Sequence, residues 1–434
     1  MMRRSPLVLI PQHFGCLLFD RRSSRYLPFD HECTAILRDL LRIGVDEVMT
    51  EAEARDDRAR VGFIASLDSR GFFTVDGFLA ATALEAEPPA DHLLGPLAVH
   101  LEVIAACNLR CGHCFAGQLP RKASLSVDDC DRLFAELASL GSFRLGLTGG
   151  EPLLRKDLLE ILDAATDRGL HPCLTTNALL IDETMARELG RRDLVWLNVS
   201  LEGATARSND RVRGLGTFTE VKRRLRLLAE HARFTLAFTI TRDNAEEVEA
   251  CAALAHELGA HTAVFRPLYP VGVAREHPEW MPDFADYSDA LGRLSELGLG
   301  EDLHAIDPFS PQARDRSAGR IHDNPGCGAA NLVASISADG EVNPCSFLGS
   351  DYDAGNIRER SFAEIWHDSQ VFRRMRATTG DFAGGCRARA LAATGSVDGA
   401  DPWQVEWQRL RSRGTDAPAP GDNLHVARSE GRSL

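Results

Sequence analysis

From about residue 97 to about residue 275 the chain alternates short β-prone apolar runs with amphipathic helical stretches, at roughly 30-residue intervals. That rhythm belongs to β-α units with parallel strands, because a parallel neighbour is reached only through a crossover long enough to hold a helix. Six runs read as strands: 97–104, 143–148, 172–176, 195–201, 234–240 and 262–266. The stretches 156–168, 218–231 and 245–258 place apolar residues at helical spacing between them. Six such units predict an α/β fold, a partial (β/α)6 TIM-like barrel whose chemistry sits on the loops after the strands.

Other zones flank this barrel. Residues 1–83 read as a small winged-helix-like α+β unit, and 84–96, with Pro88, Pro89 and Pro96, read as a linker. The barrel is expected over 97–319, a cysteine-bearing extension over 320–410 and a disordered tail over 411–434. A formal net charge of −14 argues against a nucleic-acid surface. No apolar run approaches the roughly 20 residues that span a bilayer, so no membrane partner is expected. The apolar stretch at 7–11 is too short and too proline-broken for an export signal. Eleven cysteines, three of them within eight positions, suggest metal chemistry in a reducing cytoplasm rather than a disulfide framework.

Those three, Cys107, Cys111 and Cys114, follow the first strand at C-x3-C-x2-C spacing. Three thiolates so arranged can ligate three irons of a cubane and leave the fourth iron open. Structural zinc takes four ligands and fits this spacing poorly, with free thiols as the other plain reading. Gly149, Gly150, Glu151 and Pro152 follow the second strand; a tight turn accounts for the glycines but not for the other two.

The cysteine spacing and its place after strand one resemble the radical S-adenosylmethionine superfamily. The resemblance continues through Gly149–Pro152, through Thr175-Thr176-Asn177, and through Ser200-Leu201-Glu202-Gly203 with the segment Asn209 to Gly214. Ala178, Glu202 and Asn209 depart from the family's usual Gly, Asp and His. The resemblance implies a [4Fe–4S] cluster on Cys107, Cys111 and Cys114, with S-adenosylmethionine at the open iron. It implies further that Gly149, Gly150, Glu151 and Pro152 bind the methionine amino group and that Asn177 belongs to the cofactor site. Ser200 and Arg213 would hold the cofactor carboxylate, and His113 stands where an aromatic ring stacks near the adenine. Read alone, Ser200 is equally a strand-end packing residue, Arg213 a solvated cation and His113 a surface side chain. The implied reaction is reductive cleavage to a 5′-deoxyadenosyl radical that abstracts a substrate hydrogen, with flavodoxin or ferredoxin as electron donor.

Cys327, Cys345 and Cys386 mark the C-terminal zone, and Asp339-Gly340 suits a hairpin turn that brings Cys327 and Cys345 near adjacent strands. This zone resembles the auxiliary-cluster module called SPASM or twitch. The full pattern carries C-x2-C-x5-C just upstream of the position of Cys386 and a last cysteine where Gln404 stands; all four are missing. The three that remain imply one auxiliary [4Fe–4S] cluster, against the alternative of a degenerate module without metal. Cys16, Cys33, Cys130, Cys173 and Cys251 lie in apolar periodic segments and read as buried structural thiols.

In the N-terminal zone, 14–20 and 26–30 read as a hairpin, 31–41 as a helix capped by Asp30, about 46–54 as a second helix and 67–74 as a wing. Such a unit is similar to the peptide-recognition domain exemplified by the chaperone of pyrroloquinoline quinone synthesis, which takes a leader peptide as an added strand. A purely structural cap is the alternative. The leading expectation is an enzyme that modifies a ribosomally made precursor peptide. A radical enzyme oxidising or trimming a small molecule (a tetrapyrrole side chain, or an antibiotic or cofactor precursor) and a non-catalytic peptide-binding scaffold stand beside it. No catalytic base stands out.

Overall fold

In the computed structural model, which describes residues 4–117, 124–297, 327–377, 382, 384–413 and 424–427, the chain opens with an antiparallel meander. It consists of β1 (Leu7–Gln12), β2 (Gly15–Asp20) and β3 (Arg25–Asp30), with Leu9 opposite Leu18 and Leu18 opposite Leu27. α1 (His31–Arg42) starts directly after β3 because the Asp30 carboxylate accepts the Cys33 N–H at 2.8 Å. α2 (Val45–Ala54), α3 (Arg58–Ser69) and the short β4 (Ala81–Ala83), parallel to β1, complete a sheet ordered β3-β2-β1-β4. Two expectations are corrected. The 67–74 segment is no wing, since Leu67–Ser69 finish α3 and Phe73 makes only a single bridge to Leu79. Cys33 is half-buried, because it sits in the first turn of α1.

Every residue of β1 and β2 is buried, and the period-two alternation explains how. Leu7, Leu9, Cys16 and Leu18 pack with Ile36, Leu37 and Leu40 of α1 and with Ile64 and Leu67 of α3. Val8, Ile10, Leu17, Phe19 and Tyr26 point the other way, into the main core. The Tyr26 hydroxyl donates to the Gly141 carbonyl at 2.9 Å and accepts from the Phe143 N–H at 2.7 Å. Phe19 stacks on Phe143 at 4.8 Å and meets His171 edge-on at 4.9 Å. The unit therefore stands against the N-terminal ends of the strands that follow.

Those strands are β5 (Ala98–Ile104), β6 (Arg144–Gly149), β7 (His171–Thr176), β8 (Trp196–Ser200), β9 (Thr235–Ile240) and β10 (Thr262–Pro267), all parallel and in sequence order. The register aligns Leu101 with Leu147, Leu174 with Leu197, and Phe238 with Phe265, so these side chains share the face that meets the helices. The covering helices are α4 (Val127–Ser139), α5 (Leu158–Asp167), α6 (Glu183–Gly190), α7 (Ala206–Arg213), α8 (Thr217–Ala229), α9 (Val248–Glu257) and α10 (Phe284–Glu296). The sheet does not close on itself, in keeping with a partial barrel.

The C-terminal zone is stitched into the same sheet. β11 (Val333–Ile336) runs parallel to β5, and β12 (Glu341–Asn343) and β13 (Gly355–Asn356) continue antiparallel beyond it. The expected Asp339-Gly340 turn links β11 to β12, with Gly340 at φ +96°, where a side chain would be strained. α11 (Phe362–Asp368), α12 (Gln370–Arg376), α13 (Arg387–Thr394) and α14 (Pro402–Ser412) follow. β14 (Leu424–Ala427) pairs antiparallel with β10 and corrects the expectation of a wholly disordered tail, since the open edge of β10 supplies its ladder partners. The domain boundary expected near residue 320 lies outside the described residues. Among the described residues no helix is long and apolar enough to cross a membrane.

Two half-buried imidazoles are expected to weaken the fold in acid. Burial, helped by Arg21 and Arg144, holds His171 down at about 4. Burial and the neighbouring His92, whose Nε2 lies 2.9 Å from Nδ1 of His367, hold His367 down at about 4. A group whose folded value is depressed adds stability that is complete above its unfolded value of about 6.5 and is lost as pH falls. Urea unfolding at stepped pH is therefore expected to show stability falling between pH 6.5 and 4, with His171 accounting for on the order of 3 kcal/mol. A His171→Phe variant should flatten that slope.

Candidate active site

The loop after β5 is wedged from two sides. The Gly112 N–H donates to the Val212 carbonyl in α7 at 3.0 Å, and a Cβ on Gly112 would run into the Trp280 ring. The Val273 N–H, from the segment after β10, donates to the Cys114 carbonyl at 2.9 Å. Trp280 itself stacks on His277 at 4.1 Å. Cys107, Cys111 and Cys114 are half-buried free thiols held in this loop. Burial pushes Cys111 up to about 11 and Cys107 in the same direction, while the Arg213 charge pulls both back. Such thiols become thiolates when a cation displaces their protons, as iron does. Among the described residues no three His, Cys, Asp or Glu side chains converge as a single metal ion requires. Three thiolates on one loop could ligate three irons of a cubane, whose irons occupy separate corners.

The loop after β6 presses on the same backbone. A Cβ on Gly149 would overlap the Ile104 carbonyl oxygen and one on Gly150 that of Ala106; Gly149 is at φ +143°. The Gly150 N–H donates to the Ile104 carbonyl at 2.7 Å and the Glu151 N–H to that of Ala106 at 2.9 Å. These glycines thus seat the loop against the cysteine loop. Pro152, itself buried, starts a 3-10 turn. The buried Glu151 carboxylate accepts from Thr176 Oγ1 at 2.6 Å, the Asn177 N–H at 2.8 Å and the Leu153 N–H at 3.0 Å. Burial pushes its carboxyl upward, and these hydrogen bonds resist. Asn177 Nδ2 in turn donates to Asn108 Oδ1, inside the cysteine loop, at 2.8 Å. Ala178 keeps a left-handed backbone, φ +63°, where the family pattern has glycine.

A third loop supplies the charge. Arg213, at the end of α7, aims Nε and Nη2 at Glu202 Oε1 at 3.1 and 2.7 Å. The same oxygen lies 3.1 Å from His113 Nε2, and Glu202 Oε2 accepts the Thr239 N–H at 2.8 Å. Burial alone would raise the Glu202 carboxyl, but the charges of His113 and Arg213 hold it far below the usual carboxylate range. Asn209 Oδ1 accepts the Glu202 N–H at 3.1 Å, and Asn244 Nδ2 donates to the Glu202 carbonyl at 2.9 Å. Ser200 ends β8, half-buried and opposite Ala237. The structure thus gathers the three cysteines, His113, Glu151, Asn177 and Arg213 around one loop. Sequence reasoning missed Glu202 as the hub, together with Asn108, Asn209 and Asn244. The signal for Glu202 was its place at a strand end with an arginine eleven positions on.

Cys327, Cys345 and Cys386 also come together, close enough to influence one another electrostatically. Burial pushes Cys345 up, and Cys386 up to about 11 against the pull of Arg389. The buried Asp401 carboxylate accepts the Cys386 N–H at 2.6 Å, the Trp403 N–H at 3.0 Å and Arg389 Nη2 at 2.9 Å. A Cβ on Gly385 would overlap that carboxylate. Asp401→Ala is expected to release the Cys386 loop and cut bound iron from about eight to about four per chain, with iron analysis as the measurement. The EPR signal expected of a cluster on Cys107, Cys111 and Cys114 should persist.

Residues 101–255 match the family model for the radical SAM superfamily, and residues 327–388 match that for an iron–sulfur cluster-binding domain, SPASM. The AdoMet-dependent heme synthase of Methanosarcina barkeri is 31% identical over 340 residues, covering 71% of this chain and 96% of that protein. The mycofactocin maturase MftC of Mycobacterium ulcerans is 31% identical over 354 residues, covering 77% and 92%. Among solved structures, Streptococcus suis SuiB bound to precursor peptide SuiA superposes with a TM-score of 0.69 at 16% identity, covering 92% of this chain and 99% of that one.

Proposed function

The chain belongs to the radical SAM superfamily and carries a SPASM iron–sulfur domain, and from that premise we propose that it is a peptide maturase acting on a ribosomally made precursor. The observation that carries the substrate reading is the likeness to mycofactocin maturase over 92% of that protein's length. The N-terminal sheet supports it by leaving β3 as an outer strand, an edge on which a peptide strand could add, although Pro28 withdraws one donor there.

In this reading Cys107, Cys111 and Cys114 hold the [4Fe–4S] cluster, and Cys327, Cys345 and Cys386 hold one auxiliary cluster. Bound S-adenosylmethionine supplies a 5′-deoxyadenosyl radical on one-electron reduction, the hard chemistry being the cofactor's. The protein's own residues provide placement and cover. Arg213, braced by Glu202, brings a fixed positive charge toward Cys111 and Glu151, suited to the cofactor carboxylate that Ser200 also serves. Glu151 and Asn177 lock two loops onto the cysteine loop, and the Trp280 ring packs closely against Gly112. A ferredoxin or flavodoxin is the expected electron donor, and the cytoplasm the expected compartment.

The test is anaerobic incubation of reconstituted, reduced protein with S-adenosylmethionine and a peptide encoded beside its gene. The expected result is 5′-deoxyadenosine together with a mass change in the peptide. Turnover of an iron porphyrin with the peptide left unchanged would instead favour a small-molecule substrate. Peptide binding without cofactor cleavage would mark a scaffold.

A further inference from the structure

We propose that the outer edge of β10 is a docking edge for an extended stretch of the peptide substrate, kept covered in the free enzyme by the chain's own β14. The inference rests on the peptide-maturase reading and adds a second edge to the one that β3 offers. Among the described residues the sheet runs from β13 at one end to β14 at the other without closing, so β14 borders the open side of the barrel. It pairs antiparallel with β10, Leu424 opposite Phe265 and Ala427 opposite Thr262. A ladder of main-chain hydrogen bonds does not depend on sequence, so an extended segment free of ill-placed proline fits the edge that β14 occupies. Edge N–H and C=O groups serve a parallel or an antiparallel newcomer alike. β14 holds that edge weakly, being four residues long with β10 as its one strand neighbour among the described residues. The position also suits the chemistry. Ala263 and Phe265 pack into the core on the helix side, so strand alternation turns Val264 toward the barrel interior. Alternate residues of any strand paired here face that interior too. β10 then leads into the segment whose Val273 N–H braces the Cys114 carbonyl at 2.9 Å, so the edge rises toward the cysteine loop. A peptide laid along it presents every second side chain to the enclosed face of the sheet.

The test is amide hydrogen exchange on full-length, iron-loaded protein, with and without the peptide encoded beside its gene. In wild type, bound peptide should speed exchange at residues 424–427 by about tenfold or more as β14 leaves, while the β10 amides stay protected under the newcomer. A double variant, His425→Pro with Val426→Pro, removes β14 from the ladder. Successive N–H groups of a strand point to opposite sides, so one of the two prolines necessarily deletes a donor to β10. Without peptide, the β10 amides that face β14 should exchange about tenfold faster in this variant, and peptide should restore their protection. The variant should also bind the peptide about tenfold more tightly by calorimetry, because no strand of the chain has to leave first. Peptide binding that leaves exchange at 424–427 unchanged overturns the proposal. So does equal affinity, or intact β10 protection, in a double variant of unchanged iron content. The wild-type arm decides by itself should the variant lose its iron. Failure of wild type and variant to bind the peptide at all overturns the maturase reading as well. That outcome is distinct from binding at β3 alone, which would protect residues 25–30 and leave 424–427 undisturbed.

Discussion

Replacing Cys107, Cys111 and Cys114 together by alanine is expected to abolish 5′-deoxyadenosine formation while removing only about half of the bound iron. Two [4Fe–4S] clusters carry about eight irons, and the C-terminal thiols should keep about four. The separation is physical: the first set hangs on the loop after β5, whereas Cys345 and Cys386 are positioned by β12 and by Asp401. Iron analysis, with 5′-deoxyadenosine quantified by chromatography, checks both numbers. Four irons in wild type falling to none would refute the auxiliary cluster.

Glu202→Ala is expected to destabilise the cluster-loaded protein by about 3–5 kcal/mol, because it strands a buried guanidinium. Glu202 and Arg213 are 2% and 8% exposed, so neither partner has water to fall back on. The loss should be smaller in a double variant, Glu202→Leu with Arg213→Leu, since removing both charges avoids the unpaired one. Urea unfolding of wild type, Glu202→Leu, Arg213→Leu and the double variant gives the comparison as a thermodynamic cycle. The double variant should nevertheless bind S-adenosylmethionine weakly, which separates the pair's share in stability from its share in cofactor placement.

Much of this was legible along the chain because its causes are local. The six parallel strands fall within a residue or two of the apolar runs that predict them, and Asp30 caps α1 as its side chain and position suggest. The Asp339-Gly340 turn is likewise written in two residues. What escaped was decided across distance. The parallel pairing of β11 with β5 joins residues more than 230 positions apart, and no local pattern says which sheet edge a hairpin will choose. α3 has Gly62 and scattered apolar residues, so its helix is secured by packing under the sheet rather than by periodicity. The site shows the same division. The cysteine spacing announces a cluster. The second half of Glu202's partners, Thr239 from β9 and His113 from the cysteine loop, are brought to it only by the fold.

The seating of the N-terminal sheet carries a consequence for substrate design. Tyr26, Phe19 and Arg21 meet residues 141–143, Gly169 and His171, at the lower rim of β6 and β7, while Glu151, Asn177 and the cysteine loop occupy the upper rim. Six residues of strand at about 3.3 Å each set the rims about 20 Å apart. A peptide gripped along β3 must therefore span at least that height before its reacting residue meets the radical. The enzyme would act as a ruler, passing over side chains close to the grip and reaching only those more than about six extended residues beyond it.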